Sequence, residues 1–135
     1  MMIKTYHGSC HCGAVRFECE LDLSQGTSKC DCSVCTKGRF WKAIVLANAF
    51  HLAQGADALS EYQFGRKVIH HLFCKNCGVK PFGRANVKEL GGEFYAINLA
   101  CLDDVTGREL AEAPVRYEDG RHDRWDAAPA ETRHL

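Results

Sequence analysis

Seven of the nine cysteines stand in three short motifs whose spacing suits metal binding. Two motifs are pairs, at residues 10–13 (CHCG) and 74–78 (CKNCG), and the third is a triplet at residues 30–35 (CDCSVC). Thiolate sulfur is a preferred ligand of zinc, an ion that has no redox chemistry of its own. The chemistry that these cysteines indicate is therefore the binding of zinc.

The two pairs are predicted to form one closed site. Residues two apart in an extended strand point to the same face, so Cys10 and Cys12 can reach one ion. In the other pair, Gly78 can adopt a positive φ, which lets the backbone turn until Cys74 and Cys77 both point at the metal. Because closed four-sulfur sites are typical of structural zinc, we predict a structural zinc on these four cysteines.

The triplet is predicted to hold a second zinc on Cys30, Cys32 and Cys35, which makes two Zn²⁺ per chain. Three protein ligands and one exchangeable ligand are the pattern of catalytic zinc. A fourth ligand from the chain would instead make this site structural, and the sequence leaves that alternative open. The side chains that could supply it are His7, His51, His70, His71, Cys19 and Cys101. Otherwise Cys19 is expected to be a small buried residue on the apolar face of its strand, and Cys101 is left open between a buried thiol and a supporting group near the second zinc.

Length, charge and cysteine usage narrow the class of protein. A chain of 135 residues predicts one domain over residues 1–135. An odd number of cysteines and the lack of an apolar signal segment favour a cytoplasmic protein with reduced thiols over a disulfide scaffold. Lys+Arg and Asp+Glu are both 17, which argues against a nucleic-acid partner or an anionic membrane surface. The oligomeric state is left open.

The segments between the motifs have the composition of short β-strands. Apolar and polar residues alternate, or β-branched and aromatic residues accumulate, at 14–19, 40–47, 59–64, 68–73, 79–84 and 93–99. Pro81 predicts that the strand after the second cysteine pair is an edge or irregular strand. A helical turn is predicted at 109–113, ended by Pro114, and residues 115–135 are expected to wrap over the sheet. We therefore predict a mainly β fold with little helix.

Four segments together resemble the glutathione-dependent formaldehyde-activating enzyme family, which also includes centromere protein V. They are residues 8–15, 30–35, 73–78 and 98–103. The resemblance spans about residues 6–125, and the ordered combination of CxCG, CxCxxC and CxxCG carries it. It implies an Mss4-like fold of antiparallel β-sheets stabilised by zinc, with a structural zinc on the two pairs and a second zinc on the triplet.

The resemblance also implies an activity. The implied activity is that of a carbon–sulfur lyase, with S-hydroxymethylglutathione formed from glutathione and formaldehyde, so the expected partner is a small thiol such as glutathione or its adduct. The chain departs from the family pattern after the third cysteine of the triplet, where residues 36–41 (TKGRFW) form a short basic loop instead of a longer stretch of small residues. The alternative function is a non-catalytic, zinc-stabilised interaction module.

Several side chains are candidates for proton transfer, support of the ligands or substrate binding at the second zinc. His70 and His71 could move a proton, but neighbours on a strand point to opposite faces, so at most one faces the metal. Asp31, between two ligands, is expected to hold the site through a hydrogen bond. Glutathione has two carboxylates, and the candidate residues for binding it are Lys37, Arg39, Arg66 and Trp41. The alternative for each is an ordinary solvated charge or, for Trp41, core packing.

Overall fold

The computed structural model describes residues 2–135; Met1, which the predicted domain includes, lies outside them. Two β-sheets form the framework of the fold. The smaller sheet contains β1 (Lys4–Ser9), β2 (Arg16–Leu21) and β5 (Phe50–Gln54) in the order β1-β2-β5. The larger sheet contains β3 (Thr27–Cys30), β4 (Trp41–Leu46), β6 (Leu59–Tyr62), β7 (His70–Cys74), β8 (Phe82–Val87), β9 (Gly92–Asn98) and β10 (Val115–Glu118). Its spatial order is β10-β3-β4-β9-β8-β7-β6.

The strands pair antiparallel with one exception, the parallel pair of β10 and β3. Only two short α-helices are present in residues 2–135, α1 (Ser33–Gly38) and α2 (Gly107–Glu112). The prediction of a mainly β, antiparallel fold with little helix is confirmed. Within the same residues, no helix is both long enough and apolar enough to cross a membrane.

The core lies between the two sheets because alternate residues of each strand point inward. Phe17 of β2 and Phe82 of β8 are fully buried, and their ring centroids are 5.5 Å apart. Phe50 of β5 stacks on Tyr95 of β9 at 3.8 Å. Burial of aromatic surface of this kind is a main source of stability for a small β protein. We call the sheet side that faces this core the inner face and the opposite side of the larger sheet the outer face.

Strand register identifies the residues of the outer face. His71 lies opposite Gly83, and Gly83 opposite Ala96. Further across the sheet, Lys42 lies opposite Asn98 and also opposite Ser28. Side chains two apart on a strand share a face, so Cys30 projects from the same face as Ser28. The outer face therefore carries both His71 and the first cysteine of the triplet.

Two predictions about individual strands were wrong. Pro81 does not mark an edge strand: β8 is internal, between β7 and β9, and it begins at Phe82, so the proline lies outside the ladder and costs no hydrogen bond. Residues 115–118 do not wrap over a sheet but form β10, which pairs with the otherwise unpaired edge of β3. Thr27 N–H donates to Pro114 O and Asp31 N–H to Glu118 O at the two ends of this pairing.

Candidate metal centres and active site

Four cysteines from distant parts of the chain meet in one cluster, which we call the quartet: Cys10, Cys12, Cys74 and Cys77. Their sulfur atoms lie within 4.8 Å of one another. Cys12 Sγ is 3.7 Å from both Cys10 Sγ and Cys74 Sγ. A tetrahedral zinc site with Zn–S bonds of about 2.3 Å has S–S edges of about 3.8 Å. The donor set and its spacing therefore fit a zinc ion, and the predicted grouping agrees with the geometry.

Two turns with matching hydrogen bonds present these sulfurs. The bonds run from Cys10 N to Val15 O, from Gly13 N to Cys10 O, from Cys74 N to Val79 O and from Gly78 N to Cys74 O. Gly13 and Gly78 both have a φ of 80°, which glycine adopts without strain. Gly78 thus has the positive φ that was predicted for it. The extended geometry predicted for the first pair was wrong, because β1 ends at Ser9 and the pair lies in a turn that Gly13 permits.

The other three cysteines form a second cluster, the triplet, at the junction of β3 and α1. Cys30 ends β3, Cys32 immediately precedes α1, and Cys35 lies in the first turn of that helix. Their sulfurs are within 4.8 Å of one another. Cys30 is buried, whereas Cys32 and Cys35 are partly exposed. The triplet is thus buried at Cys30 and partly open to solvent at Cys32 and Cys35.

Hydrogen bonds within the triplet favour a thiolate. The bonds that Cys32 Sγ accepts from the Cys30 and Cys35 thiols lower the pKa of Cys32 to about 2. The same bonds raise the pKa of Cys30, through its bond to Cys32, and that of Cys35, through its bonds to Cys30 and Cys32. Cys32 is therefore the first of the three thiols to ionise, and the thiolate is the form that binds metal.

The structure brings no fourth metal-binding side chain into the triplet among residues 2–135. The six side chains considered for that position lie elsewhere: His7 bonds Asp104, His70 bonds Glu61, His71 contacts Lys80, His51 is exposed on β5, and Cys19 and Cys101 are buried in the core cluster. Burial is the first cause that raises the pKa of Cys19 to about 12 and of Cys101 to about 11. Both are therefore buried neutral thiols.

A half-buried lysine near the triplet was missed by the motif search. Lys80 Nζ lies 4.2 Å above the ring of Phe40, which leads from α1 into β4. Burial lowers the pKa of Lys80, while electrostatic interaction with the Cys35 and Cys32 sulfurs partly offsets this. The available signal was its position, two residues after the turn glycine Gly78 and between two apolar residues, where a charge is unusual.

His71 is the histidine of the predicted pair that shares the outer face with the triplet. Its Nδ1 is 2.6 Å from Lys80 Nζ, and because an ammonium can only donate, Nδ1 accepts and Nε2 carries the ring proton. Burial, and then the charge of Lys80, lower the pKa of His71 to about 4. Phe64 stacks on the ring at 5.4 Å. His70 points to the inner face and bonds Glu61 at 2.8 Å, so the structure does not bring it to the triplet.

The predicted substrate-binding residues are scattered. Lys37 is exposed on α1, and Arg66 is exposed with its Nη2 3.7 Å from Asp123 Oδ2. Arg39 ends α1 and donates to the carbonyl of His134. Trp41 precedes Lys42 on β4 and so faces the inner side, where its indole donates to Thr27 Oγ1 at 2.8 Å. The structure therefore does not bring Trp41 to the triplet.

The fold and the two cysteine clusters define a class of protein. The chain is a small, mainly antiparallel β protein with two cysteine clusters that could each bind a metal ion. The model of the glutathione-dependent formaldehyde-activating enzyme family matches residues 5–118, and this chain belongs to that family. A crystal structure of a Rhodobacter sphaeroides protein is similar, with 34% sequence identity and a TM-score of 0.69. The match covers 82% of this chain and 99% of that one. The family resemblance found in the motifs is thereby confirmed.

Proposed function

We propose that this chain is a zinc-dependent carbon–sulfur lyase that acts on a glutathione adduct. The reaction is the formation of S-hydroxymethylglutathione from glutathione and formaldehyde, or the equivalent reaction of a related thiol adduct. Family membership supports the substrate class. The observation that carries the proposal is a triplet of sulfurs that is buried at Cys30 and accessible at Cys32 and Cys35, with Lys80 near the accessible side.

Two zinc ions per chain are the cofactors of this proposal, one in the quartet for stability and one in the triplet for function. Bound by Cys30, Cys32 and Cys35, the second zinc would supply a position at which a substrate thiol is held as its thiolate.

Lys80 supplies the positive charge that such a site needs. Three thiolates around a divalent ion leave a net charge of −1, and a substrate thiolate adds a further negative charge. Lys42 is also near but already pairs with Glu118 at 2.7 Å, whereas the close partner of Lys80 is a neutral histidine. The Lys80 ammonium can therefore donate a hydrogen bond to the oxygen of the aldehyde or of the new hydroxymethyl group, where negative charge develops.

His71 orients Lys80. Its Nδ1 accepts one of the three ammonium protons, and its own position is held by the stacked ring of Phe64 and by burial on β7. The neutral ring leaves the charge of Lys80 uncompensated, which is the state that attracts an anionic substrate. Lys37 and Arg66 are the exposed cations that we propose for the two carboxylates of glutathione.

Titration of the two-metal protein with glutathione, alone and then with formaldehyde, tests the proposal. In a Co²⁺-substituted protein, glutathione should alter the sulfur-to-cobalt absorption of one of the two metals, and formaldehyde should alter it again as the adduct forms. Cys35→Ser is the matched control and should remove this response while the quartet keeps its metal. Two bound metals with no response to either compound would favour the non-catalytic module, and a single bound metal would exclude the lyase.

A further inference from the structure

The segment after β10 covers the buried side of the triplet. Residues 119–125, which we call the clamp, follow directly on Glu118, where the family match ends. They form a tight loop closed by a β-bridge between Asp119 and Arg124, and Asp119 N–H also bonds Ala127 O at 3.1 Å. The clamp is thus an ordered structure, and its contacts reach the first ligand of the triplet.

Gly120 brings the clamp into direct contact with Cys30. A Cβ placed on Gly120 would lie 2.5 Å from Cys30 Sγ and 2.7 Å from the indole ring of Trp125. Real Cβ atoms do not approach other heavy atoms so closely, so any side chain here would displace the sulfur or the ring. The φ of Gly120 is not positive, so the requirement for glycine comes from this contact and not from backbone strain.

Asp119 holds the clamp closed. The residue is fully buried, and its carboxylate accepts bonds from His122 Nδ1 at 2.9 Å and from Arg124 Nη2 at 2.7 Å and Nε at 3.0 Å. Although burial raises it, these hydrogen bonds lower the pKa of Asp119 to about 2. A buried carboxylate bound by an arginine fork is a strong and directional link. Arg124 is therefore the side chain whose removal should open the loop.

Asp31 links the clamp to the backbone of the triplet. It lies between Cys30 and Cys32, and its Oδ1 accepts the backbone N–H of Arg121 at 3.0 Å. In return, Arg121 Nε donates to Asp31 O at 3.2 Å. Asp31 thus has the supporting hydrogen bond that was predicted for it, and its partner belongs to the clamp.

We propose that the clamp positions the Cys30 sulfur as a metal ligand and closes that side of the triplet, so that an external thiol can approach only past Cys32 and Cys35. The inference rests on the proposed function, because it requires a metal at the triplet. It adds a set of positioning residues, chiefly Gly120 and Arg124, that neither the cysteine motifs nor the family match contains. Partners of metal ligands of this kind typically change metal affinity by about 10- to 100-fold when they are removed.

Metal release to a chromophoric chelator measures this effect. The wild-type two-metal protein should release one metal quickly from the triplet and one slowly from the quartet. In Gly120→Ala the fast phase should accelerate about tenfold or more, because the added methyl displaces Cys30, while the slow phase stays unchanged. Gly107→Ala is the matched control, since a Cβ at that glycine meets nothing within 4 Å.

Arg124→Ala provides a second variant, one that adds no atom at Gly120. It removes the fork on Asp119 and should also accelerate the fast phase about tenfold. Arg108→Ala removes an arginine that pairs with Glu112 on α2 instead, and it should behave as wild type. The sulfur-to-cobalt absorption of the triplet should change in Gly120→Ala and Arg124→Ala but not in either control.

The outcomes separate the two proposals. Two metals in the wild type, with release rates in Gly120→Ala and Arg124→Ala within twofold of wild type, would overturn the clamp and leave the lyase intact. If Gly120→Ala does not fold, Arg124→Ala decides by the same criterion. A wild-type protein that binds metal only in the quartet would overturn both proposals. Faster release in both variants together with a silent glutathione titration would support the clamp and reject the lyase.

Discussion

The quartet and the triplet both consist of cysteine sulfurs, but the quartet joins distant segments of the chain, whereas the triplet comes from one short segment. The quartet joins a turn after β1 of the smaller sheet to a turn after β7 of the larger sheet, and Cys12 and Cys74 are 62 residues apart. The triplet takes all its sulfurs from residues 30–35, at one corner of the larger sheet. A metal in the quartet would close a long loop and hold two sheets together, whereas a metal in the triplet would close almost none. The fold can therefore depend on the first cluster while the second is available for chemistry.

The surroundings of the two clusters also suit a structural role for the quartet and a chemical role for the triplet. The quartet lies in turns whose hydrogen bonds match one another closely, an arrangement that serves to present four sulfurs to one ion. The triplet is partly exposed and lies near Lys80 and Lys42, whose charges act on Cys32 and Cys35. In the triplet, the clamp covers Cys30, and the two lysines lie near Cys32 and Cys35. This arrangement is suited to a negatively charged ligand that approaches from the side of the lysines.

The largest expected effect of any substitution is loss of a quartet ligand. Cys74→Ser should prevent folding, because structural zinc contributes about 10–16 kcal/mol in small peptides while a whole domain has a net stability of only about 5–15 kcal/mol. By contrast, Cys35→Ser should leave a folded protein with one metal. Circular dichroism, thermal melting and metal analysis would make the comparison.

Cys19→Ala is the matched control for both variants, since Cys19 is a buried thiol outside the two clusters. It should remain folded with two metals and lose only the stability of a small core contact. If Cys35→Ser unfolds as completely as Cys74→Ser, the distinction between a structural and a functional cluster is wrong.

Removal of the lysine charge should have a smaller effect, confined to the triplet. Lys80→Met keeps the length of the side chain over Phe40 but loses the ammonium group, and we expect kcat/KM for the proposed reaction to fall by about 10²- to 10³-fold. Metal content and melting temperature should stay close to those of the wild type. Lys88→Met, which removes an exposed lysine after β8, is the control. Activity of Lys80→Met within twofold of wild type would remove Lys80 from the site.

The smallest effect is a difference in titration between two histidines, His7 on β1 of the smaller sheet and His71 on β7 of the larger sheet. The hydrogen bond to Asp104 raises the pKa of His7 above its ordinary value of 6.5, whereas burial, and then Lys80, lower that of His71 to about 4. NMR of the imidazole C–H signals should show His7 becoming protonated above pH 6.5 as the pH falls, while His71 stays neutral down to about pH 5. Titration of His71 near 6.5 would mean that in solution the ring is neither buried nor in contact with the Lys80 ammonium.

The pKa shifts of His7 and His71 have opposite effects on how the stability of the fold depends on pH. A raised pKa means that His7 stabilises the fold at acidic pH, and this contribution is lost as the pH rises through the folded-state value. A lowered pKa means that His71 stabilises the fold above pH 6.5, and this contribution is lost as the pH falls from 6.5 toward about 4. Variants His7→Gln and His71→Gln should shift the pH dependence of thermal melting in these opposite directions.

The cysteine spacing was enough to predict the triplet and each pair of the quartet, because each motif brings its own sulfurs together over a few residues. That the two pairs, 62 residues apart at Cys12 and Cys74, share one site followed from the four sulfurs that a closed zinc site needs. The pairing of the strands on either side of the second turn was predictable for the same local reason, since 68–73 and 79–84 flank one tight turn and pair as β7 and β8. The short helix before Pro114 was also predictable, although α2 begins two residues earlier, where Thr106 and Glu109 form a capping box. Local chemistry decides features of this kind.

Lys80, the clamp and β10 could not be predicted from spacing, because each depends on residues that are far apart in the chain and meet only after folding. Gly120 contacts Cys30 across 90 residues of chain, the same separation as the bond between Arg121 and Asp31. Whether a lysine is solvated or half-buried beside a cluster, and whether a histidine faces the core or the metal, follows from strand order and register. Strand order and register are set by how the two sheets pack to bury their apolar faces, and a short motif contains no information about that packing.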